Sequence, residues 1–325
     1  MKKTIVSLAA FVGALAVAGS ASAFDPSNVE CIAPANPGGG WDFTCRSVGK
    51  ILYDLKLVPE PVKVTNMPGG GGGVAFGYTI AKRGKDANLL VAASTATTSR
   101  LATNQYAGLQ ADQVRWVASL GADFGVVAVN NDSPYKNLKD LMDAVKANPS
   151  KVAFAGGSSV GGWDHLKILI VAKAAGIANA KAVKYVSFNS GGAALTQLLG
   201  NHVQAVTGDI SEIKGQLAAG KIRALAVLSP ERLPTDPSIP TAKEQGYDAI
   251  GANWRGFYLP KGVSDDVHSS WGGILEKLYK SDDWKKAMEA NGLAPFYNGG
   301  PMFDDFVSQN IADVKQLSKD VGLLK

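Results

Sequence analysis

Strand-like apolar runs alternate with helical periodicity along this chain, glycine-rich turns separate them, and the length exceeds what one hydrophobic core usually supports. These observations predict an α/β protein of two lobes, with parallel-type sheets flanked by helices. The chain has 325 residues, 46% of them hydrophobic and 19% charged. That composition is too apolar for disorder and too mixed for a fibrous chain. Val29–Ala33 reads as a strand, followed by a glycine turn and a helix from Asp42 to Leu57. Val62–Asn66 is the next strand, with a glycine run and a helical stretch Val74–Arg83 after it. Leu89–Ala93 and Val126–Val129 are short apolar strands. Asn137–Ala147 carries Leu138, Leu141, Met142 and Val145 at helical spacing. Lys151–Ala155, Ala182–Ser187 and Val203–Thr207 read as strands that each lead into a helix, and Ile222–Leu228 as a further strand. Trp271–Leu278, Asp283–Asn291 and Phe303–Val321 close the chain as helices. No low-complexity linker separates two beads. The expectation is therefore a lobe of residues 130–228 inserted, through two crossing strands, into a lobe made of 24–129 and 229–325.

Residues 1–23 read as a cleavable secretory signal: Lys2 and Lys3, an apolar stretch from Ile5 to Ala18, then Ala21-Ser22-Ala23. Cleavage removes two lysines, so the formal charge falls from +5 to +3. A small basic excess offers poor support for nucleic-acid binding, and no later run is long enough to span a membrane. In an exported chain the pair Cys31 and Cys45 is most simply a disulfide. It would close a loop worth about 3 kcal/mol of chain entropy. Two buried free thiols remain an alternative, and so does a two-thiolate metal site, although His165, His202 and His268 are distant in sequence and form no ligand-like pair.

Four glycine-rich loops stand between a strand and a helix: Pro37-Gly38-Gly39-Gly40-Trp41-Asp42, Asn66 to Gly73, Gly156 to Gly162, and Asn189-Ser190-Gly191-Gly192. Glycine lets a ligand approach the backbone, and a helix start offers free N–H groups at the positive end of a dipole. Together they make anion sites, for carboxylates as for phosphates. Phosphate-loop and dinucleotide fingerprints do not occur, and no cofactor or metal is indicated. One enzymatic motif matches. Gly157-Ser158-Ser159-Val160-Gly161 has the form of a nucleophile elbow, and Asp209, Asp236 or Asp248 with His268 could complete a triad. A secreted serine hydrolase is thus the alternative reading, weakened because His268 sits in a polar helix start.

The segments Ile32 to Asp42 and Asn66 to Gly71 resemble the paired signature loops of the substrate-binding proteins of tripartite tricarboxylate transporters, the Bug receptors. Leu198-Leu199-Gly200, Gly220 to Val227, Ile239 to Gly246 and Gly256-Phe257-Tyr258-Leu259-Pro260 also match family positions. Cysteines framing the first loop resemble the citrate-receptor branch. Two departures bear on the ligand: Phe188-Asn189-Ser190 stands where the family usually has Tyr-Lys-Gly, and Trp254-Arg255-Gly256 where it has an aromatic pair before glycine. The resemblance implies a type II periplasmic-binding-protein fold, hinged between lobes, without enzymatic activity. It implies a periplasmic monomer that captures a di- or tricarboxylate such as citrate and passes it to a membrane permease. Carried over residue by residue, it places Gly38, Gly39, Gly40 and Asp42, with Pro68, Gly69, Gly70 and Gly71, around one carboxylate. Ser94 and Thr95 would donate hydroxyl bonds to the same ligand. Ser158, Ser159, Gly161, Gly162, Ser190 and Gly191 would hold its far end, with Trp41 and Trp163 as walls. Asp42 either caps its helix or orients a water. Of the seven arginines, only Arg100 and Arg255 stand near loop positions that could face a cleft.

Overall fold

The computed structural model of the chain describes residues 24 and 26–324; the expected signal segment lies outside them. Its strands are β1 (Glu30–Ala33), β2 (Lys63–Asn66), β3 (Leu89–Ser94), β4 (Val114–Asn130), β5 (Ala153–Gly156), β6 (Lys184–Ser187), β7 (Ala205–Asp209), β8 (Ile222–Val227), β9 (Ala252–Pro260) and β10 (Ala294–Gly299). Its helices are α1 (Gly40–Asp54), α2 (Gly73–Lys82), α3 (Thr95–Ala102), α4 (Leu138–Ala147), α5 (Trp163–Ala174), α6 (Gly191–Leu199), α7 (Ile210–Ala218), α8 (Asp265–Lys280), α9 (Asp282–Asn291) and α10 (Pro301–Asp320). None of the described helices is long and apolar enough to cross a membrane.

Two sheets share one strand. The first half of β4 pairs antiparallel with β9 and β10, and its second half pairs antiparallel with β7 and β8. Around it, β2, β1 and β3 run parallel in the first sheet, and β6, β5 and β7 run parallel in the second. The outer strands thus follow the parallel expectation, while those next to the crossing are antiparallel. The return path runs from Leu228 to Gly251, where Gly125 donates to the Gly251 carbonyl and Leu228 donates to that of Gly125.

Each sheet alternates its side chains between two apolar layers. On one face of the first sheet Cys31, Ala33, Leu90, Ala92 and Phe257 pack against α1, α8 and α9; on the other, Ile32, Val91, Trp116 and Tyr258 pack against Phe76 of α2 and Phe303 of α10. The second sheet is covered by α4 and α5 on one side and by α6 and α7 on the other. Leu233, Ile239, Ala242 and Ala249 of the return path lie in the second sheet's core, as do Val314 and Val321 at the end of the chain. The helix α10 therefore begins against one sheet and ends against the other. Cys31 and Cys45 form a disulfide that ties β1 to α1, with Cα atoms 5.7 Å apart.

Four elements were not legible in the sequence, β10 among them. β4 is 17 residues long, far beyond Val126–Val129. Its first half hides Ser119 and Asp123 at full burial, which breaks the apolar pattern. β9 likewise contains the buried polar residues Asn253 and Arg255. The fourth is α3, Thr95-Ala96-Thr97-Thr98-Ser99-Arg100-Leu101-Ala102, whose threonines have weak helix propensity. A capping box between Ser94 and Thr97 starts it, and Thr98 and Ser99 hydroxyls donate back to the carbonyls of Thr95 and Ala96.

Candidate functional site

Residues at the starts of five helices line one cavity between the sheets. Gly39 and Gly40 open α1, Ser94 caps α3, and Ser158 accepts from the Asp164 N–H in the first turn of α5. Ser190 caps α6, while Asp209 and Glu212 form the capping box of α7. Lining side chains accept first-turn N–H groups of Gly40, Ala96, Asp164 and Ala193, and the positive ends of the helix dipoles gather around the cavity. Of the residues expected from the sequence, Gly39, Gly40, Trp41, Gly71, Ser94, Ser158, Ser190 and Gly191 line the cavity.

The others stand behind it. The Asp42 carboxylate accepts from the Gly38 N–H at 3.0 Å, from Arg46 and from Asn66 Nδ2, tying the first glycine loop to the second. Thr95 Oγ1 donates to Ala252 O and accepts from the Trp254 N–H, so it fastens α3 to β9. Pro68, Gly69 and Gly70 shape the second loop. Gly69 to Gly72 all have positive φ, which glycine alone adopts without strain. Ser159 is half-buried, and its hydroxyl would lie 2.8 Å from a Cβ placed on Gly71. Gly161 donates its N–H to His165 Nδ1, and Gly162 turns back onto the Ser159 carbonyl to start α5.

Arg100, Asp164, Asp209, Glu212, Asn253 and Arg255 line the cavity as well, with Lys167 buried beside the carboxylates. Lys167 is fully buried, 2.8 Å from Asp164 Oδ1 and 2.5 Å from Asp209 Oδ1. Burial alone would lower its pKa, but the two carboxylates hold it above its ordinary value. Arg255 reaches Asp123 at 2.8 Å and Asp209 at 2.7 Å, and Asn253 Nδ2 donates to Asp209 at 2.6 Å. Burial would raise the Asp209 pKa, yet Lys167 and Arg255 keep it below its ordinary value. Glu212 accepts the Gly40 N–H at 2.8 Å and the Asp209 N–H at 3.3 Å, bridging the two halves of the cleft. Enclosure in the cleft, then Asp209 and Asp164, push its carboxyl up to about 8.

Arg100 differs from these. It is 2% exposed and lines the cavity, yet it forms no ion pair among the described residues. One nitrogen, Nη1, donates to the Val160 carbonyl at 3.0 Å, and Nη2 has no partner. Burial lowers its pKa. An uncompensated buried cation is costly, so the position is suited to an anion that arrives from outside.

The two halves of the cleft touch. Asn36 donates to the Asn189 carbonyl at 3.2 Å, and a Cβ on Gly192 would meet Gly38 O at 2.9 Å. The cavity left between them measures about 40 Å³, the space of roughly three water molecules. An organic acid therefore needs the lobes to part.

The triad expected for a hydrolase does not assemble. Asp209 is engaged by Lys167, Arg255 and Asn253, Asp236 pairs with Lys214, and Asp248 is exposed. His268 lies within 2.7 Å of the Trp116 carbonyl and lines a separate groove with Arg115 and Asp304.

Two sheets that share a strand, with helix starts gathered around the cleft between them, define a two-lobe solute-binding protein. Solved structures of that type superpose over nearly the whole chain. A protein described as R. palustris Rpa4515 with adipate matches with TM-score 0.82 at 20% identity, covering 91% of this chain and 97% of its own. MatC of Rhodopseudomonas palustris with bound malate matches with TM-score 0.79 at 20% identity, covering 90% and 99%. The family model described as tripartite tricarboxylate transporter family receptor matches residues 53–323, and the chain belongs to that family. Protein BugT of Bordetella pertussis is 26% identical over 330 residues, covering 99% of this chain and 98% of its own. Members of the family are substrate-binding proteins and not enzymes, which overturns the hydrolase alternative.

Sequence reasoning left Arg100 and Arg255 open and missed Asp164, Glu212 and Asn253 as lining residues. One signal was available: Asp209-Ile210-Ser211-Glu212 has the spacing of a capping box at the start of a helix.

Proposed function

We propose that this chain is exported by its N-terminal signal, works in the periplasm as a monomer, and captures a di- or tricarboxylate of citrate type for delivery to a membrane permease. Its lobes close on the acid by bending at β4 and at the return path near Gly251. In this reading the lobes divide as 24–129 with 229–325 against 130–228, with residues 233–249 and the end of α10 packed across onto the second lobe. The observation that carries the reading is Arg100, a buried guanidinium without a counter-ion among the described residues, in a cavity built from helix starts. Malate and adipate in the related structures support an acid of this class.

Thermal unfolding of the mature protein with citrate, malate, adipate and neutral sugars tests it. At least one acid raises Tm by mass action and no sugar does. In Arg100→Met the ligand-free protein unfolds at a temperature equal to or higher than wild type, because a buried unpaired charge is gone. The acid's affinity falls by about ten- to a hundredfold, the loss of one charge-assisted bond. Unchanged acid binding in Arg100→Met removes the guanidinium from the site, and no response to any acid sinks the carboxylate reading.

A further inference from the structure

The uncommitted polar atoms of the cavity are of two kinds. Among the described residues, Arg100 Nη2 and Arg255 Nε are donors without partners, and Asn253 Oδ1 is an acceptor without one. The assignment of Asn253 is fixed by its neighbour. Its amide is 3% exposed, and the group that meets Asp209 at 2.6 Å must be the donor Nδ2, since Lys167 and Arg255 keep that carboxylate ionised. Oδ1 is then the free atom, in a residue that lines the cavity.

Around it the wall is rich in acceptors. Asp164 and Asp209 line the same cavity and offer further acceptor oxygens, both already shared with Lys167. A plain dicarboxylate carries acceptors only. It can satisfy the arginine donors, but it leaves Asn253 Oδ1 unpaired. An acid with a hydroxyl or ammonium beside its carboxylate satisfies both kinds of atom.

We infer that the ligand of this cleft bears a hydrogen-bond donor as well as carboxylate, and that Asn253 is the specificity-determining residue that reads that donor. The inference rests on the carboxylate reading above and adds a substituent to it. A site built to bond a donor rejects the analogue that lacks it, because its own acceptor is then left buried and unpaired.

Isothermal titration of the mature protein with matched acids provides the test. Malate against succinate, and citrate against propane-1,2,3-tricarboxylate, each differ by one hydroxyl; aspartate against malate separates ammonium from hydroxyl. In at least one family of acids the donor-bearing member binds about ten- to a hundredfold tighter than its plain partner. Asn253→Ala brings that ratio close to one while the plain acid keeps its affinity, a change in ratio that simple destabilisation does not produce. Equal binding of both members by wild type overturns this inference and leaves the carboxylate reading standing. A wild-type ratio that persists in Asn253→Ala overturns the role of Asn253. No binding by any acid overturns both readings.

Discussion

Glu212 shows how a single carboxyl can report the state of the cleft. Its backbone donors come from Gly40 on α1 and Asp209 at the start of α7. The charges around it are Asp209 and Asp164, which raise its pKa to about 8 together with its enclosure, and Arg255 and Lys167, which oppose them. The folded protein therefore holds a proton on Glu212 that the unfolded chain releases near 4.5. Between those values the native state binds more protons, so this group makes stability fall as pH rises from about 4.5 to about 8 and adds no slope above. Glutamine does not titrate, but its amide nitrogen cannot accept as the second carboxyl oxygen does, so the variant gives up one backbone bond at every pH. In thermal melts the stability of Glu212→Gln relative to wild type should therefore rise from about pH 4.5 to about pH 8. Parallel curves across that window would show that Glu212 titrates normally. His165 is the contrasting case: burial and Arg100 push it down to about 4, and it accepts a hydrogen bond from Gly161 as a neutral ring.

At the scale of elements, the first glycine loop is held from both ends. The Cys31–Cys45 bond links β1 to α1 below it, and Asp42 joins Gly38 to Asn66 above it. Both ties fix the start of α1, where Gly39 and Gly40 line the cavity. Closing a loop of this size restricts the unfolded chain by about 3 kcal/mol. Denatured, unreduced protein should show no free thiol on titration, and reduction should lower unfolding stability by about that amount. Two titratable thiols in oxidised material would contradict the bond. The short helix α3 has the same purpose on its own side of the cleft. Without the Ser94–Thr97 capping box and the hydroxyl bonds of Thr98 and Ser99, Arg100 would not be held buried against Val160.

For the whole molecule the closed cleft depends on the absence of side chains. Gly192 lies in the first turn of α6, where alanine suits the helix, but its Cβ would meet the Gly38 carbonyl of the other lobe at 2.9 Å. Gly192→Ala should thus leave melting temperature near wild type or above it, while the lobes can no longer shut. Small-angle scattering with saturating acid should give a larger radius for the variant than for wild type, and acid affinity should drop. A variant that compacts and binds as wild type does would show that the lobes need not meet at this point.

The sequence by itself determined what local chemistry writes into short segments: the strand–helix alternation, the glycine loops at helix starts, the cysteine pair, and the family resemblance. Those features depend on neighbours a few residues apart, and eight of the expected loop residues do line the cavity. The tertiary structure decided everything that depends on distant segments meeting. Arg255 finds Asp123 across 132 positions, Asn253 finds Asp209 across 44, and Glu212 finds Gly40 across 172. No periodicity encodes such meetings. Buried polar residues also disguise the strands that bring them together, as Asp123 does in β4 and Arg255 in β9. The glycine and serine lining was legible because helix starts and turns follow from local sequence. The charged floor was not, because a side chain's partner is set by the sheet order, which only the folded chain defines.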